Sequence, residues 1–138
     1  MNNSADQPTV AQKPSDDRNA MTFPALLAWA WRETPPVHKN AASLVIHLFA
    51  VPLFVVGHIL LIAGVIVDMR LVIAALLCIV VSLVLQNFAH SLEPIKPPPF
   101  LGPRDFLRRL YAEQFCNFWR FLFSGQWYAS FKSGRTNA

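Results

Sequence analysis

The sequence predicts an all-α membrane protein, a two-helix transmembrane hairpin with flanking interfacial amphipathic helices, and three observations carry that prediction. Leu44 to Val67 is a run of 24 residues without a charge, and the hydrocarbon core of a bilayer takes roughly 20 helical residues to cross. A second uncharged stretch, Leu71 to Phe88, begins after only Asp68, Met69 and Arg70. So short a link leaves the two helices side by side and antiparallel. The chain is 54% hydrophobic and 14% charged, against about 25% charged in an ordinary soluble domain.

Each element follows in order. Residues 1–20 are polar, carry Pro8 and Pro14, and hold Val10 as their one sizeable apolar side chain before Met21. Such a segment buries too little to offset its ordering entropy and is expected to be a disordered tail. It does not read as a signal peptide, because Asp16 and Asp17 precede an apolar region that begins late. The remainder, 21–138, reads as a single helical membrane domain. Phe23 to Arg32 is too short to span and has Pro24 at a first helical turn. It is expected to be an interfacial helix that ends before Pro35 and Pro36, with Trp29 and Trp31 at the headgroup level.

The transmembrane helices are placed at 41–67, bent near Pro52, and at 71–90. Pro94 and the Pro97–Pro99 run then predict an extended exit. Residues 103–124 form an aromatic amphipathic segment. At 100° per residue Phe106, Leu107, Leu110, Tyr111, Phe115, Phe118, Trp119 and Leu122 share one face, and Arg109, Glu113, Asn117 and Arg120 lie opposite. Its charges disfavour a third span, so an in-plane interfacial helix is predicted. Packing against a partner domain is the alternative.

Charge and cysteine usage narrow the function classes. Of twelve Lys and Arg residues only Arg70 lies in the hairpin turn. The positive-inside rule therefore puts both termini in the cytoplasm, most simply at an inner or cytoplasmic membrane. The net charge of +4 suits an anionic lipid surface, whereas the basic residues form no nucleic-acid-binding module. Cys78 and Cys116 are too few and too distant for a disulfide framework and are expected to be small buried hydrophobes. No phosphate-binding glycine loop, dinucleotide fingerprint or nucleophile elbow is present.

The histidines are the polar feature to explain. Residues at equal depth in a hairpin turning near Met69 have numbers that sum to about 138, which levels His47 with His90 and Ser91. Gln86, His90 and Glu93 are spaced i, i+4, i+7 and share a face if the helix continues. His38 precedes the first span at the same end. Three imidazoles and a carboxylate converging there suit a divalent iron or zinc ion and leave positions open for substrate. Solvated histidines at the headgroup level are the plainer alternative. His58 lies roughly 16 Å further along the helix than His47 and cannot share that ion. It is left to hydrogen-bond to the second helix, bind a second ion or, with Gln86, line a path for a lipid tail.

The segment VHKNAASLVIHLFAVPLF, with His38, His47 and Pro52, resembles a family of small membrane proteins typified by iron-dependent 2-hydroxy fatty acid dioxygenases of fatty-acid α-oxidation. Its second motif, a histidine followed by a glutamate and a proline-bearing segment, is similar to NFAHSLEPIKPPPF, with His90 and Glu93. Ser43 and Ala50 depart from the family pattern, and His90 and Glu93 stand one residue closer than usual. The resemblance covers about Trp31 to Phe100. It implies Fe(II) as cofactor, His38, His47 and His90 as iron ligands with Glu93 a weaker fourth, and a hydroxylated fatty acyl chain as substrate. No catalytic residue is assigned. A non-enzymatic hairpin that binds lipid or a protein partner explains the composition equally well. A homo-oligomer is compatible with both readings, and a transporter component would require one.

Overall fold

A computed structural model describes residues 17–136, and among these every regular element is a helix. In order they are α1 (Phe23–Val37), α2 (Ala41–Ile66), α3 (Arg70–Ser91), α4 (Pro103–Ala112), α5 (Phe118–Phe123) and α6 (Gln126–Thr136). A π-helical turn, Glu113–Asn117, joins α4 to α5. Of the expected tail, residues 1–16 lie outside the described part.

Helices α2 and α3 form the body of the fold. The Asn40 side chain opens α2 by accepting the Ser43 N–H at 3.1 Å, as an N-cap does. The Asp68 carboxylate accepts the Arg70 N–H at 2.9 Å and turns the chain into α3. With 26 and 22 residues, the helices are about 39 and 33 Å long at ~1.5 Å per residue. Both are long and apolar enough to cross a membrane. They pack against each other in antiparallel register. Gly57 faces Ala75, Cys78 and Ile79, Gly64 faces Leu71 and Val72, and Ser82 Oγ donates to the Ala50 carbonyl at 2.6 Å. The absence of a side chain at both glycines is what lets the backbones approach. Only 28% and 17% of their most apolar stretches is covered, with Ile59, Ile62, Val65, Ile73, Leu77 and Val84 exposed. A core helix of a water-soluble domain would be covered over most of its surface.

The flanking elements differ from the sequence-based expectations in several places. Helix α1 runs through Pro35 and Pro36 to Val37. Both prolines fall in its last turn, where each forfeits one hydrogen bond to a carbonyl four residues back, and buried Thr34 and Val37 hold that turn in place. Trp29 is not at a surface: it is buried, with the guanidinium groups of Arg18 and Arg109 4.7 and 5.1 Å from its ring. Residues 17–20, expected to belong to the tail, form a turn whose Arg18 is buried.

The amphipathic segment packs much of its polar face against the rest of the protein. Its polar residues Asp105, Arg109, Gln114 and Asn117 are buried, whereas Leu107, Tyr111, Phe115 and Phe123 are exposed. A helical wheel separates two faces without saying which one is covered. Here each inward polar group finds a partner, which removes most of the penalty of burial. Arg109 donates to the Pro98 carbonyl at 2.8 Å, Asn117 to the Leu27 carbonyl at 3.2 Å, and Arg18 to Asp105 at 2.9 Å. Cys116 is accordingly exposed rather than buried. Helix α6 lies against α2 through a hydrogen bond from Trp127 Nε1 to the Leu44 carbonyl (3.3 Å) and the close approach of Gly134 to Lys39.

Candidate metal centre

His38 caps the C-terminus of α1, His47 lies in the second turn of α2, and His90 lies in the last turn of α3. Short links bring these three helix ends together. Ring centroids are 5.1 Å apart for His38 and His47, 5.5 Å for His38 and His90, and 4.8 Å for His47 and His90. One nitrogen from each ring lies within 4.8 Å of the other two. Metal–imidazole bonds of about 2 Å can be reached from such a group by small side-chain adjustments.

Backbone carbonyls fix the tautomers. Nδ1 of His38 donates to the Thr34 carbonyl at 2.7 Å, and Nδ1 of His47 donates to the Ser43 carbonyl at 2.9 Å. A carbonyl can only accept, so both rings carry a proton on Nδ1, and the tautomer this selects is the one whose Nε2 can ligate an ion. His47 Nε2 and His90 Nδ1 are buried and find no partner among the described residues. Leaving such atoms unpaired costs on the order of 1–3 kcal/mol each, and a shared cation would satisfy them. The donor set and the orphaned atoms therefore fit a divalent ion.

The group faces a cavity of about 170 Å³. Val37, Val51, Phe118 and Phe121 make its wall largely apolar, and Arg109 and Glu113 also line it. Arg109 is held between the ring of Phe100, 4.5 Å from its Cζ, and that of Trp29. Its Nε and Nη2 both donate to Glu113 Oε1, at 3.3 and 3.2 Å. Loss of hydration pushes the Glu113 carboxyl above the ordinary carboxylate range, against the pull of the Arg109 charge and hydrogen bonds.

Glu93 does not join the histidines. Helix α3 stops at Ser91 because Pro94 disfavours helical geometry at the residue before it, so Glu93 leaves the face it was expected to share. Its Oε2 instead accepts the backbone N–H groups of Lys39 and Asn40, at 2.8 and 2.9 Å. The carboxylate thereby ties the end of α3 to the start of α2, and it is 3% exposed. His58 also stands apart. Its Nδ1 donates to the Phe54 carbonyl at 2.9 Å, and its Nε2 accepts the Tyr111 hydroxyl at 3.0 Å. That partner belongs to α4 and not to the second long helix. Gln86 lines the cavity and forms an amide pair with Gln114, donating to its Oε1 at 3.1 Å and accepting in return.

Sequence reasoning placed Arg109 and Glu113 on the polar face of an in-plane helix and gave them no role. The signal was their i, i+4 spacing inside an aromatic stretch, a pairing that suits mutual neutralisation. Comparison with protein-family models, curated proteins and solved structures finds no match for this chain. Three imidazoles on three separate helix ends can hold a divalent ion while leaving coordination positions open toward the cavity, the arrangement that metal-dependent catalysis requires.

Proposed function

We propose that this chain is an integral membrane protein that holds Fe(II) on His38, His47 and His90 and oxidises a hydroxylated fatty acyl chain at the cytoplasmic face. The observation that carries the reading is the convergence of these three histidines, from three helix ends, on one largely apolar cavity. The motif resemblance between Trp31 and Phe100 supplies the choice of iron and the substrate class. When bound, Fe(II) supplies the activation of dioxygen; the chain supplies the rest.

His38 and His47 present Nε2 lone pairs because backbone carbonyls hold their Nδ1 protons. Val37, Val51, Phe118 and Phe121 give the cavity an apolar wall for an acyl chain. A volume of about 170 Å³ compares with the ~150 Å³ apolar cavity that admits a benzene molecule. The head of a long acyl chain fits there, and its tail has to lie outside, along the exposed apolar faces of α2 and α3. Those two helices are read as a transmembrane hairpin in an inner or cytoplasmic membrane. Arg70 alone is basic at its turn, and both termini are placed in the cytoplasm.

The test is oxygen uptake by the purified full chain in detergent, with Fe(II) and a 2-hydroxy fatty acid. Uptake is expected only when both are present, and His47→Ala is expected to abolish it. Absence of uptake from the iron-loaded chain would end the dioxygenase reading and leave a metal-holding or lipid-binding hairpin.

A further inference from the structure

The centre needs a group that can accept a proton or hydrogen bond from whatever protic group occupies the cavity, and the carboxylate expected for that region, Glu93, is not among the residues that line it. Glu93 spends its Oε2 on two backbone N–H groups in the α1–α2 link, and its Oε1 is buried without a partner among the described residues. The cavity is lined by two other carboxylates, Glu33 and Glu113, and only Glu113 is held. Arg109 grips it through a single oxygen, Oε1, so that Oε2 has no hydrogen-bond partner among the described residues. The grip is rigid because Arg109 is itself 3% exposed, bonded to the Pro98 carbonyl and flanked by Trp29 and Phe100.

The backbone supports the same placement. The π-helical turn begins at Glu113 itself. One extra residue in that turn rotates Gln114 and Asn117 inward, where both are buried. Such turns are less stable than α-helix and recur at functional positions. Gln114 pairs with Gln86, which stands one helical turn before His90 on the same face of α3. The turn is thus pinned beside the histidines. Of the amides around the cavity, Gln86 and Gln114 bond each other and Asn117 bonds the Leu27 carbonyl, while Asn87 also lines it.

We propose that Glu113, acting from outside the ligand set, is the hydrogen-bond acceptor for a water or substrate hydroxyl held in the cavity beside His38, His47 and His90. The role rests on the proposed metal centre. When ionised, the form its pairing with Arg109 favours against the cost of burial, Glu113 also puts a negative charge at the cavity wall. A neutral protic group is favoured there and a small anion is opposed.

The test uses the full chain in detergent, loaded with Co(II), with visible absorption followed during titration with azide. Wild type is expected to bind one Co(II) and to take azide weakly. Glu113→Gln and Glu113→Ala are expected to keep Co(II) affinity within about threefold. Both are expected to bind azide at least about tenfold more tightly, the scale on which a unit charge several ångströms away acts in a partly dry site. Glu113→Asp keeps the charge and should stay near wild type. Loss of Co(II) from the uncharged variants would make Glu113 a direct ligand and overturn the proposal. Unchanged azide affinity would overturn it as well. If neither uncharged variant folds, Glu113 is structural and the proposal fails. In all three cases the metal centre stands, whereas a wild-type chain that takes up no Co(II) removes the centre and this role together.

Discussion

Asp105 holds the segment before α1 against α4 with a carboxylate that is 1% exposed. Arg18 Nε and Nη2 reach both of its oxygens, at 2.9–3.1 Å, and the Leu101 N–H adds a bond of 2.9 Å. Burial alone would raise this carboxyl, but the Arg18 hydrogen bonds, the Leu101 N–H and the charges of Arg18 and Arg109 hold it below its ordinary value. A depressed carboxyl stabilises the fold fully above the unfolded-chain value of about 3.9. That contribution disappears as pH falls through the lower folded value. Asp105→Asn leaves Arg18 buried and unpaired, so a loss of about 3–5 kcal/mol is expected at pH 7. Unfolding in detergent at pH 7 and at pH 3 should show wild type losing stability on acidification and the variant losing much less.

Glu93 is the second residue whose role the structure redefines. As a clamp on the Lys39 and Asn40 N–H groups it positions His38 relative to His47 and His90 without touching an ion. Glu93→Ala is expected to weaken metal binding by roughly 10–100-fold, the usual effect of removing an outer-shell support. Glu93→Gln still offers an oxygen to both N–H groups and should recover most of that affinity. A glutamine variant as weak as the alanine variant would instead make Glu93 a ligand. The i, i+4, i+7 spacing of Gln86, His90 and Glu93 could not reveal this, because it assumes that the helix continues past a residue that precedes proline.

At the scale of elements, the two long helices and their level ends were legible because hydropathy and length are local properties of the chain. The equal-depth rule brought His47 beside His90, and the rings are 4.8 Å apart. The segment 103–124 was legible as amphipathic, but the partners of its polar face were not. Which face turns inward depends on partners far away in sequence, such as Leu27 for Asn117, Gln86 for Gln114 and Arg18 for Asp105. The π turn has no local signature either, and without it Glu113 stays on a face that looks solvated.

The helix pair itself depends on Gly64. A Cβ there would stand 2.8 Å from the backbone nitrogen of Val72, and a backbone atom cannot rotate away as a side chain can. Gly64→Ala is expected to lower stability by about 1–3 kcal/mol through overpacking, read as a reduced midpoint of thermal unfolding in detergent. Gly57→Ala should do less harm, since its tightest contact is the Ile79 side chain.

For the whole molecule, an uneven division of surface matters most. Along α2 and α3 the outward faces are apolar and exposed, while Arg18, Asp105, Arg109, Gln114 and Asn117 are buried where α1, α4 and the π turn meet. In water this arrangement leaves large apolar surface uncovered; beside lipid it is favourable. The three histidines lie where the polar interior meets the ends of the apolar helices. An ion held there would therefore share its cavity with apolar side chains and with the Arg109–Glu113 pair.

The direct measurement is the metal content of the full chain purified in detergent, after loading with Fe(II) and removal of unbound ion. One ion per chain is expected for wild type and for His58→Ala, whose Nε2 already accepts from Tyr111. His38→Ala, His47→Ala and His90→Ala are each expected to lose it. Substoichiometric metal in wild type, or metal that the three substitutions leave unchanged, would contradict the account.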